Sequence, residues 1–195
     1  MTKERVKPMR MIKPALFAAV LATVIGHTSL SSAGDVVGVV TVPKPDQLVV
    51  YVETVQGTFP GQPATMDQVK KVFVPYVLPV VKGSTVEFRN GDNLAHNVFG
   101  IGADEFNLGA FNQGGVREHT FNKAGDVSIL CNVHPEMEAH VLVLQNPYFA
   151  RPDSTGKFQI TGVPAGDYVI TAWYAGKSKK QTVKVPATGS VTVTF

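Results

Sequence analysis

The only cysteine of the chain is followed, at short fixed offsets, by two other side chains that bind soft metals. Cys131, His134 and Met137 lie within the stretch "DVSILCNVHPEMEAHVLVLQ", residues 126–145, with an alternating apolar run on each side. A thiolate, a thioether and an imidazole together favour copper, because Cu(I) prefers sulfur and Cu(II) accepts imidazole nitrogen. Two histidines and a cysteine with a weak methionine bond form a site for electron transfer rather than for bond-making. The local run supplies one histidine, so the second must come from elsewhere.

His96 is the candidate for that second histidine. The stretch "RNGDNLAHNVFG", residues 89–100, places it after a strand and an Asn/Gly/Asp turn, where loop geometry presents it at the Cys131 end of a sandwich. Zinc gains little from a thioether, and the chain has no C-x-x-C-H motif for haem attachment. Taken singly, these residues have plain interpretations as a loop histidine, a core methionine and a small buried thiol. Their order and spacing together favour a copper site.

His119 and His140 stand in strand-like runs outside this set. We interpret them as surface or partly buried residues, with an extra copper site as the alternative.

Almost all of the chain from residue 34 onward has the pattern of short β-strands. Runs rich in β-branched and aromatic residues, such as "VVGVVTV", "STVEFRN" and "YVITAWY", are separated by Gly, Pro, Asn and Asp. Only the segment Met66–Lys71 carries a weak helical pattern. Many short strands at this spacing predict an all-β fold of sandwich type.

The first 33 residues have the pattern of an export signal. Five basic residues precede the eleven-residue apolar run "ALFAAVLATVI", which is too short to span a bilayer. Ser31 and Ala33 are small residues at the positions that a signal peptidase reads, so we expect cleavage after Ala33 and a periplasmic protein with no stable membrane span. The alternative is a retained membrane anchor.

Removal of this segment changes the charge. The full chain is formally +3, but residues 34–195 hold 13 basic and 14 acidic residues, a net charge near −1. We therefore expect no nucleic-acid partner. The lysine cluster "GKSKKQTVK", residues 176–184, is typical of a solvated edge strand, with an anionic docking patch as the alternative.

Around the four metal-binding residues the chain resembles the cupredoxins, the small blue copper proteins. Residues 70–99 have that family's order of strand, glycine, "V-x-F-x-N" and histidine, and residues 121–143 are similar to its second half. The C-x-x-H-x-x-M loop with Pro135 is similar to the short form in amicyanin. The resemblance covers residues 66–145 and implies a Greek-key sandwich, one type 1 copper ion held by His96, Cys131, His134 and Met137, and one-electron carriage. It also implies that Asn97 helps to fix the cysteine loop, while Glu136 and Glu138 depart from the family's apolar rim.

A second resemblance joins the two ends of the exported chain. Residues 153–195, with "GKF" and "VPAGDY", look like the later part of carboxypeptidase regulatory-like or transthyretin-like modules, and residues 34–55 supply such a module's opening hairpin. This predicts a cupredoxin domain, residues 57–146, inserted in or joined to a second small β-sandwich formed by residues 34–56 and 147–195. The alternative is that residues 48–55 form the first strand of the cupredoxin.

These sequence features predict one of two functions. The first is a periplasmic type 1 copper protein, not an enzyme, that carries single electrons between redox partner proteins of unknown identity. The second is copper binding for delivery or storage, with the same ligands. Copper enzymes need further copper centres with their own histidines, commonly H-x-H pairs, and this chain has no such pair.

Overall fold

The computed structural model describes residues 32–195, which contain sixteen β-strands and one short 3-10 helix, Pro45–Gln47. The all-β prediction is confirmed. The strands are, in chain order, β1 (Ala33–Val39), β2 (Leu48–Val52), β3 (Ala64–Val69), β4 (Val72–Val74), β5 (Val77–Val81), β6 (Thr85–Asn90), β7 (His96–Gly102), β8 (Phe106–Phe111), β9 (Val116–Thr120), β10 (Gly125–Leu130), β11 (Glu138–Leu144), β12 (Phe149–Ala150), β13 (Lys157–Pro164), β14 (Gly166–Tyr174), β15 (Lys177–Val185) and β16 (Ser190–Thr194). No helix within this range is long and apolar enough to cross a membrane. The predicted signal, residues 1–33, lies outside the described residues apart from its last two.

Strands β3 to β11 form two sheets, here called the first sandwich. Their strand orders are β4-β3-β6-β9 and β5-β11-β10-β7-β8. The pairs β3/β6 and β5/β11 are parallel and the others are antiparallel. Alternate side chains from both sheets meet in one apolar core, whose largest fully buried members are Phe88, Phe121, Met66, Ile129 and Met137. Removal of this apolar surface from water is the main term that stabilises such a fold.

Strands from the two ends of the described chain form two further sheets, here called the second sandwich. Their orders are β13-β1-β16 and β12-β2-β14-β15, around a core that includes Val36, Leu48 and Ile170. Strand β2 pairs with β12 and β14, not with a strand of the first sandwich. The chain leaves after Val52 and returns at Tyr148, where the Val52 N–H donates to the Tyr148 carbonyl at 2.9 Å. Whether the two sandwiches are separate domains stays a prediction.

A small apolar cluster joins the two sandwiches. Val49 and Trp173 come from the second sandwich and pack against residues of β5 and β11 in the first, namely Val77, Leu142 and Leu144. Trp173 is only 5% exposed. Since these side chains point away from the core of their own sandwich, their burial depends on the contact between the two sandwiches.

One local prediction differs from the structure, and one strand forms where the sequence analysis named none. The weak helical pattern at Met66–Lys71 does not correspond to a helix. These residues form most of β3 and the turn to β4, and β3 pairs with β4 on one side and β6 on the other. Met66 and Gln68 are fully buried in that strand, and sheet pairing outweighs local preference. Strand β8, "FNLGAF", carries no strand signal in the sequence because Asn and Gly are poor strand formers. It forms by pairing with β7.

Candidate metal centre

The strand arrangement brings three of the four predicted ligands to one edge of the first sandwich. Cys131 directly follows β10, His134 lies in the loop to β11, and His96 is the first residue of β7. Strands β7 and β10 are antiparallel neighbours, with Leu130 opposite Phe99. The start of β7 therefore lies beside the end of β10, and His96 comes next to the cysteine loop although it is 35 residues away from Cys131 in sequence.

The donor atoms of these three residues converge. One ligand atom from each of His96, Cys131 and His134 lies within 4.8 Å of the other two. The two imidazole Nδ1 atoms are 3.0 Å apart, with ring centroids at 4.8 Å. His96 is fully buried and Cys131 is 3% exposed, whereas His134 is only partly buried. Two Nδ1 atoms at this distance need a proton or a cation between them, since two lone pairs repel each other.

The chemistry of this donor set fits copper. A thiol and two imidazole nitrogens offer one soft and two intermediate ligands, which is the combination that both copper oxidation states accept. No carboxylate belongs to the converging group, so the hard oxygen ligands that calcium or magnesium require are missing from it. The residues present therefore fit a copper ion.

Met137 immediately precedes β11, which begins at Glu138. Its side chain is fully buried in the same apolar core as Cys131, and its backbone N–H donates to the His134 carbonyl at 3.0 Å. This hydrogen bond closes a tight turn that fixes Met137 relative to His134. The assignment of its thioether as a fourth ligand stays a prediction.

The sulfur of Cys131 accepts a hydrogen bond from the backbone. The Asn97 N–H donates to Cys131 Sγ at 3.4 Å, in a buried position. The Asn97 side chain turns to the neighbouring strand instead and donates to Asn107 Oδ1 at 2.9 Å. A donor directed at sulfur stabilises the thiolate that binds metal, so the main chain of Asn97 fixes the cysteine.

Asp92 is a residue of this site that the sequence analysis missed. Its Oδ2 lies 2.9 Å from His96 Nε2, and the two residues are four apart in sequence. The backbone N–H groups of Lys70 and Lys71 donate to the same carboxylate at 2.6 and 2.8 Å. The Lys71 N–H, and after it the imidazole of His96, hold the pKa of Asp92 below its usual value although its partial burial acts in the opposite direction. The spacing D-x-x-x-H was the only available signal in the sequence.

Asn90 holds the loop that carries Asp92 and His96. Its buried side-chain amide donates to the carbonyls of Leu94 and Phe111 at 2.8 and 2.9 Å. Its Oδ1 accepts from the Asp92 N–H at 2.9 Å. The bonds with Leu94 and Asp92 tie the loop before His96 to the end of β6, and the bond with Phe111 joins the end of β6 to the end of β8.

Glu138 is exposed, and its carboxylate makes one specific contact. It accepts a hydrogen bond from the Tyr76 hydroxyl at 2.7 Å. Burial, together with this carboxylate, raises the pKa of Tyr76 to about 12. The phenol therefore stays a neutral donor at physiological pH.

His119 and His140 lie outside the converging group. His119 stacks on Phe106 at 3.9 Å and contacts Asp104 at 3.3 Å. His140 contacts Asp126 at 3.0 Å and packs edge-on against Trp173 at the junction of the sandwiches. Among the residues that the structure describes, no second group of three metal-binding side chains includes either histidine.

Comparison with known proteins gives similar structures only. No family model matches the chain, and no curated protein matches it. A purple cupredoxin from Nitrosopumilus maritimus is 26% identical over 41% of this chain and 98% of its own length, with a TM-score of 0.38. A point mutant of amicyanin, in reduced form, is 22% identical over 48% of this chain and 97% of its own, also with a TM-score of 0.38.

A third similar structure is an enzyme. It is the copper-containing nitrite reductase of Thermus scotoductus SA-01, which is 28% identical over 54% of this chain with a TM-score of 0.40. The match covers only 28% of the length of that enzyme. At these TM-scores the structural similarities support no inference about function. A proposal about function therefore has to rest on the geometry of the donor atoms.

Proposed function

We propose that the protein is a type 1 copper protein that carries single electrons, with His96, Cys131, His134 and Met137 as ligands of one copper ion. The observation that carries the proposal is the convergence of one donor atom from each of His96, Cys131 and His134 within 4.8 Å, with the two Nδ1 atoms 3.0 Å apart. Copper bound there would supply a one-electron couple between Cu(I) and Cu(II). The sequence provides the remaining support through the order and spacing of the ligands.

The surroundings of the ligands favour a fixed geometry. His96 and Met137 are fully buried, and Cys131 is nearly so. Each of the three makes a hydrogen bond that holds it in place. His96 donates to the Asp92 carboxylate, the Met137 N–H donates to the His134 carbonyl, and Cys131 Sγ accepts from the Asn97 N–H. Ligands that do not move when charge changes keep the reorganisation small, which suits electron transfer more than release of metal.

His134 is the ligand through which we expect electrons to pass. It is the only one of the three converging residues that is not buried, and it follows Val133, which is 47% exposed. Leu94, on the loop before His96, is also 47% exposed. This apolar surface beside a partly exposed ligand suits brief contact with a redox partner protein.

A carrier rather than an enzyme agrees with this donor set. Four ligands from the protein would complete the coordination, whereas a catalytic metal keeps one position open for water or substrate. We place the protein in the periplasm on the basis of residues 1–33, with cell fractionation as the direct test.

The test is copper loading followed by optical spectroscopy and voltammetry. We expect the wild-type protein to show an intense thiolate-to-copper absorption band and reversible one-electron cycling. Cys131→Ser should lose the band while the strands still fold, because the lost bond is to metal rather than to the core. His119→Ala is the matched control, since that histidine lies outside the group and should leave the band unchanged.

Two results would contradict the proposal. A band that persists in Cys131→Ser would mean that the site is elsewhere. A colourless wild-type protein whose Cu(I) is quickly removed by a chelator would indicate copper delivery or storage instead.

A further inference from the structure

The carboxylate of Asp92 links the predicted ligand His96 to a distant hairpin. Its Oδ2 contacts His96 Nε2 at 2.9 Å and accepts the Lys71 N–H at 2.8 Å, while Oδ1 accepts the Lys70 N–H at 2.6 Å. The Asp92 side chain is 14% exposed and that of His96 is fully buried. Three donors therefore converge on one carboxylate next to the candidate metal centre.

The hairpin between β3 and β4 has an unusual backbone at this point. Lys70 and Lys71 have φ angles of 56° and 58°, so two consecutive residues other than glycine adopt the left-handed conformation. This conformation is unfavourable for residues with a Cβ. It directs both N–H groups to one side, which forms a concave anion-binding nest. Asp92 occupies that nest.

We propose that Asp92 is a positioning residue that selects Nδ1 of His96 as the metal-binding atom, and that the nest at Lys70–Lys71 fixes Asp92 for this role. The inference rests on the proposed function only in that His96 is taken as a ligand, and it deepens that assignment. Nothing in the local C-x-x-H-x-x-M motif specifies this arrangement.

The chemical reason is the donor and acceptor inventory of the two side chains. A carboxylate only accepts hydrogen bonds, so a contact with imidazole requires the proton on Nε2. Nδ1 is then left with its lone pair, and Nδ1 is the atom that faces His134 Nδ1 at 3.0 Å. A second partner of this kind fixes both the tautomer and the ring orientation of a metal-binding histidine.

Asparagine at position 92 tests the role without a change of shape. Its amide presents one acceptor and one donor in place of two acceptors. If the amide nitrogen faces His96, the imidazole must take the other tautomer. If it faces Lys70, that bond of the nest is lost, whereas the amide oxygen still accepts from the Lys71 N–H and from His96 Nε2. Asp92→Ala removes all three bonds at once.

The first measurement uses the metal-free protein and long-range ¹H–¹⁵N NMR of the histidine rings. We expect wild-type His96 to be a single tautomer with the proton on Nε2, and Asp92→Ala, which has no acceptor for that proton, to show the other tautomer or a mixture. Asp92→Asn should do so only where its amide nitrogen faces His96. The second measurement is copper affinity by competition with a chelator. Loss of such a partner typically weakens metal binding about 10- to 100-fold, and we expect that range for Asp92→Ala.

Asp153→Ala is the matched control. Asp153 lies in the second sandwich and accepts backbone N–H bonds from Thr155 and Lys157 at 2.8 and 3.0 Å. Its loss removes a similar carboxylate-to-turn contact away from the candidate site. We expect the His96 tautomer and the copper affinity to match those of the wild type.

The inference is overturned if both Asp92 variants keep the Nε2–H tautomer of His96 and bind copper as tightly as the wild type. Asp92 would then stabilise only the hairpin turn. Failure of the proposed function is recognised separately, because it appears in the optical spectrum of the copper-loaded wild type. The tautomer is measured without copper.

Discussion

Replacement of Trp173 by alanine is the sharpest test of how the two sandwiches are held together. Trp173 is 5% exposed and belongs to β14 of the second sandwich, yet it packs against Leu142 and Leu144 of the first. Its ring also meets His140 edge-on, with centroids 5.1 Å apart. The alanine variant leaves the core of each sandwich intact and removes the largest side chain between them.

The expected magnitude follows from that burial. Loss of a buried Trp or Phe side chain lowers the free energy of unfolding by about 3–5 kcal/mol. For a chain of about 150–250 residues, each kcal/mol shifts Tm by roughly 2–4 °C. We therefore expect Tm to fall by roughly 6–20 °C, and Trp173→Phe, which keeps an aromatic ring, to lose less. Val39→Ala is the surface control, because Val39 is 40% exposed and such changes stay within about 0.5 kcal/mol.

The assay is calorimetry together with urea unfolding of a double-mutant cycle. Trp173→Ala and Leu142→Ala are measured singly and together, and residues in contact show a coupling of about 0.5–3 kcal/mol. We also expect the single unfolding transition to broaden or divide in Trp173→Ala, because each sandwich then unfolds with less support from the other. A Tm within about 2 °C of the wild type, with additive effects in the cycle, would refute the reasoning.

Three other predictions concern the candidate ligand Met137, the architecture and the pH dependence. Met137→Leu removes a donor that favours Cu(II) and should raise the reduction potential, whereas Met137→Gln, with a harder oxygen, should lower it; identical voltammograms in both variants would mean that Met137 only packs. A chain without residues 57–146, rejoined by a short Gly/Ser linker, should fold cooperatively and bind no copper. The reason is that the two ends are already close, since the Val52 N–H donates to the Tyr148 carbonyl at 2.9 Å. The split-sandwich prediction fails if this shortened chain stays unfolded while residues 34–146 alone fold and bind copper. The ammonium of Lys180, and after it the hydroxyl of Thr171, hold the pKa of Glu53 below its ordinary value of 4.5 although desolvation opposes them. A carboxyl group with a depressed pKa stabilises the fold above its ordinary pKa, and this stabilisation is lost as pH falls through the folded pKa. The free energies of unfolding of wild type and Glu53→Gln, measured in urea, should therefore differ near neutral pH and converge in acid. A difference that stays constant with pH would contradict this.

Local patterns were sufficient for the fold class and for the choice of candidate ligands. Alternation of apolar side chains and Gly, Pro and Asn punctuation are properties of short segments, so the all-β class follows from them without knowledge of pairing. The spacing of Cys131, His134 and Met137 is local as well, and it indicated copper chemistry before any geometry was known. The choice of His96 as a candidate ligand needed one further assumption, namely that two strand ends lie at the same edge of a sandwich.

Pairing between distant strands was not determined by those patterns. Strand β8 has a poor local signal and forms because β7 offers it hydrogen bonds. The segment Met66–Lys71 has a weak helical pattern, but it lies between β4 and β6 and therefore becomes part of a sheet. In both places the deciding interaction comes from a strand whose position depends on the rest of the fold.

The supports of the candidate site were likewise decided only by tertiary structure. Asp92 carries no signal beyond its distance of four residues from His96, and the donors that hold it come from Lys70 and Lys71, which are 22 and 21 residues away. Trp173 has the sequence pattern of an ordinary strand residue, and it is buried because the first sandwich covers it. A residue's own type and spacing determine what it can donate or accept, whereas the partner that it meets depends on how distant segments pack. That is why candidate ligands could be proposed from the sequence and their supports could not.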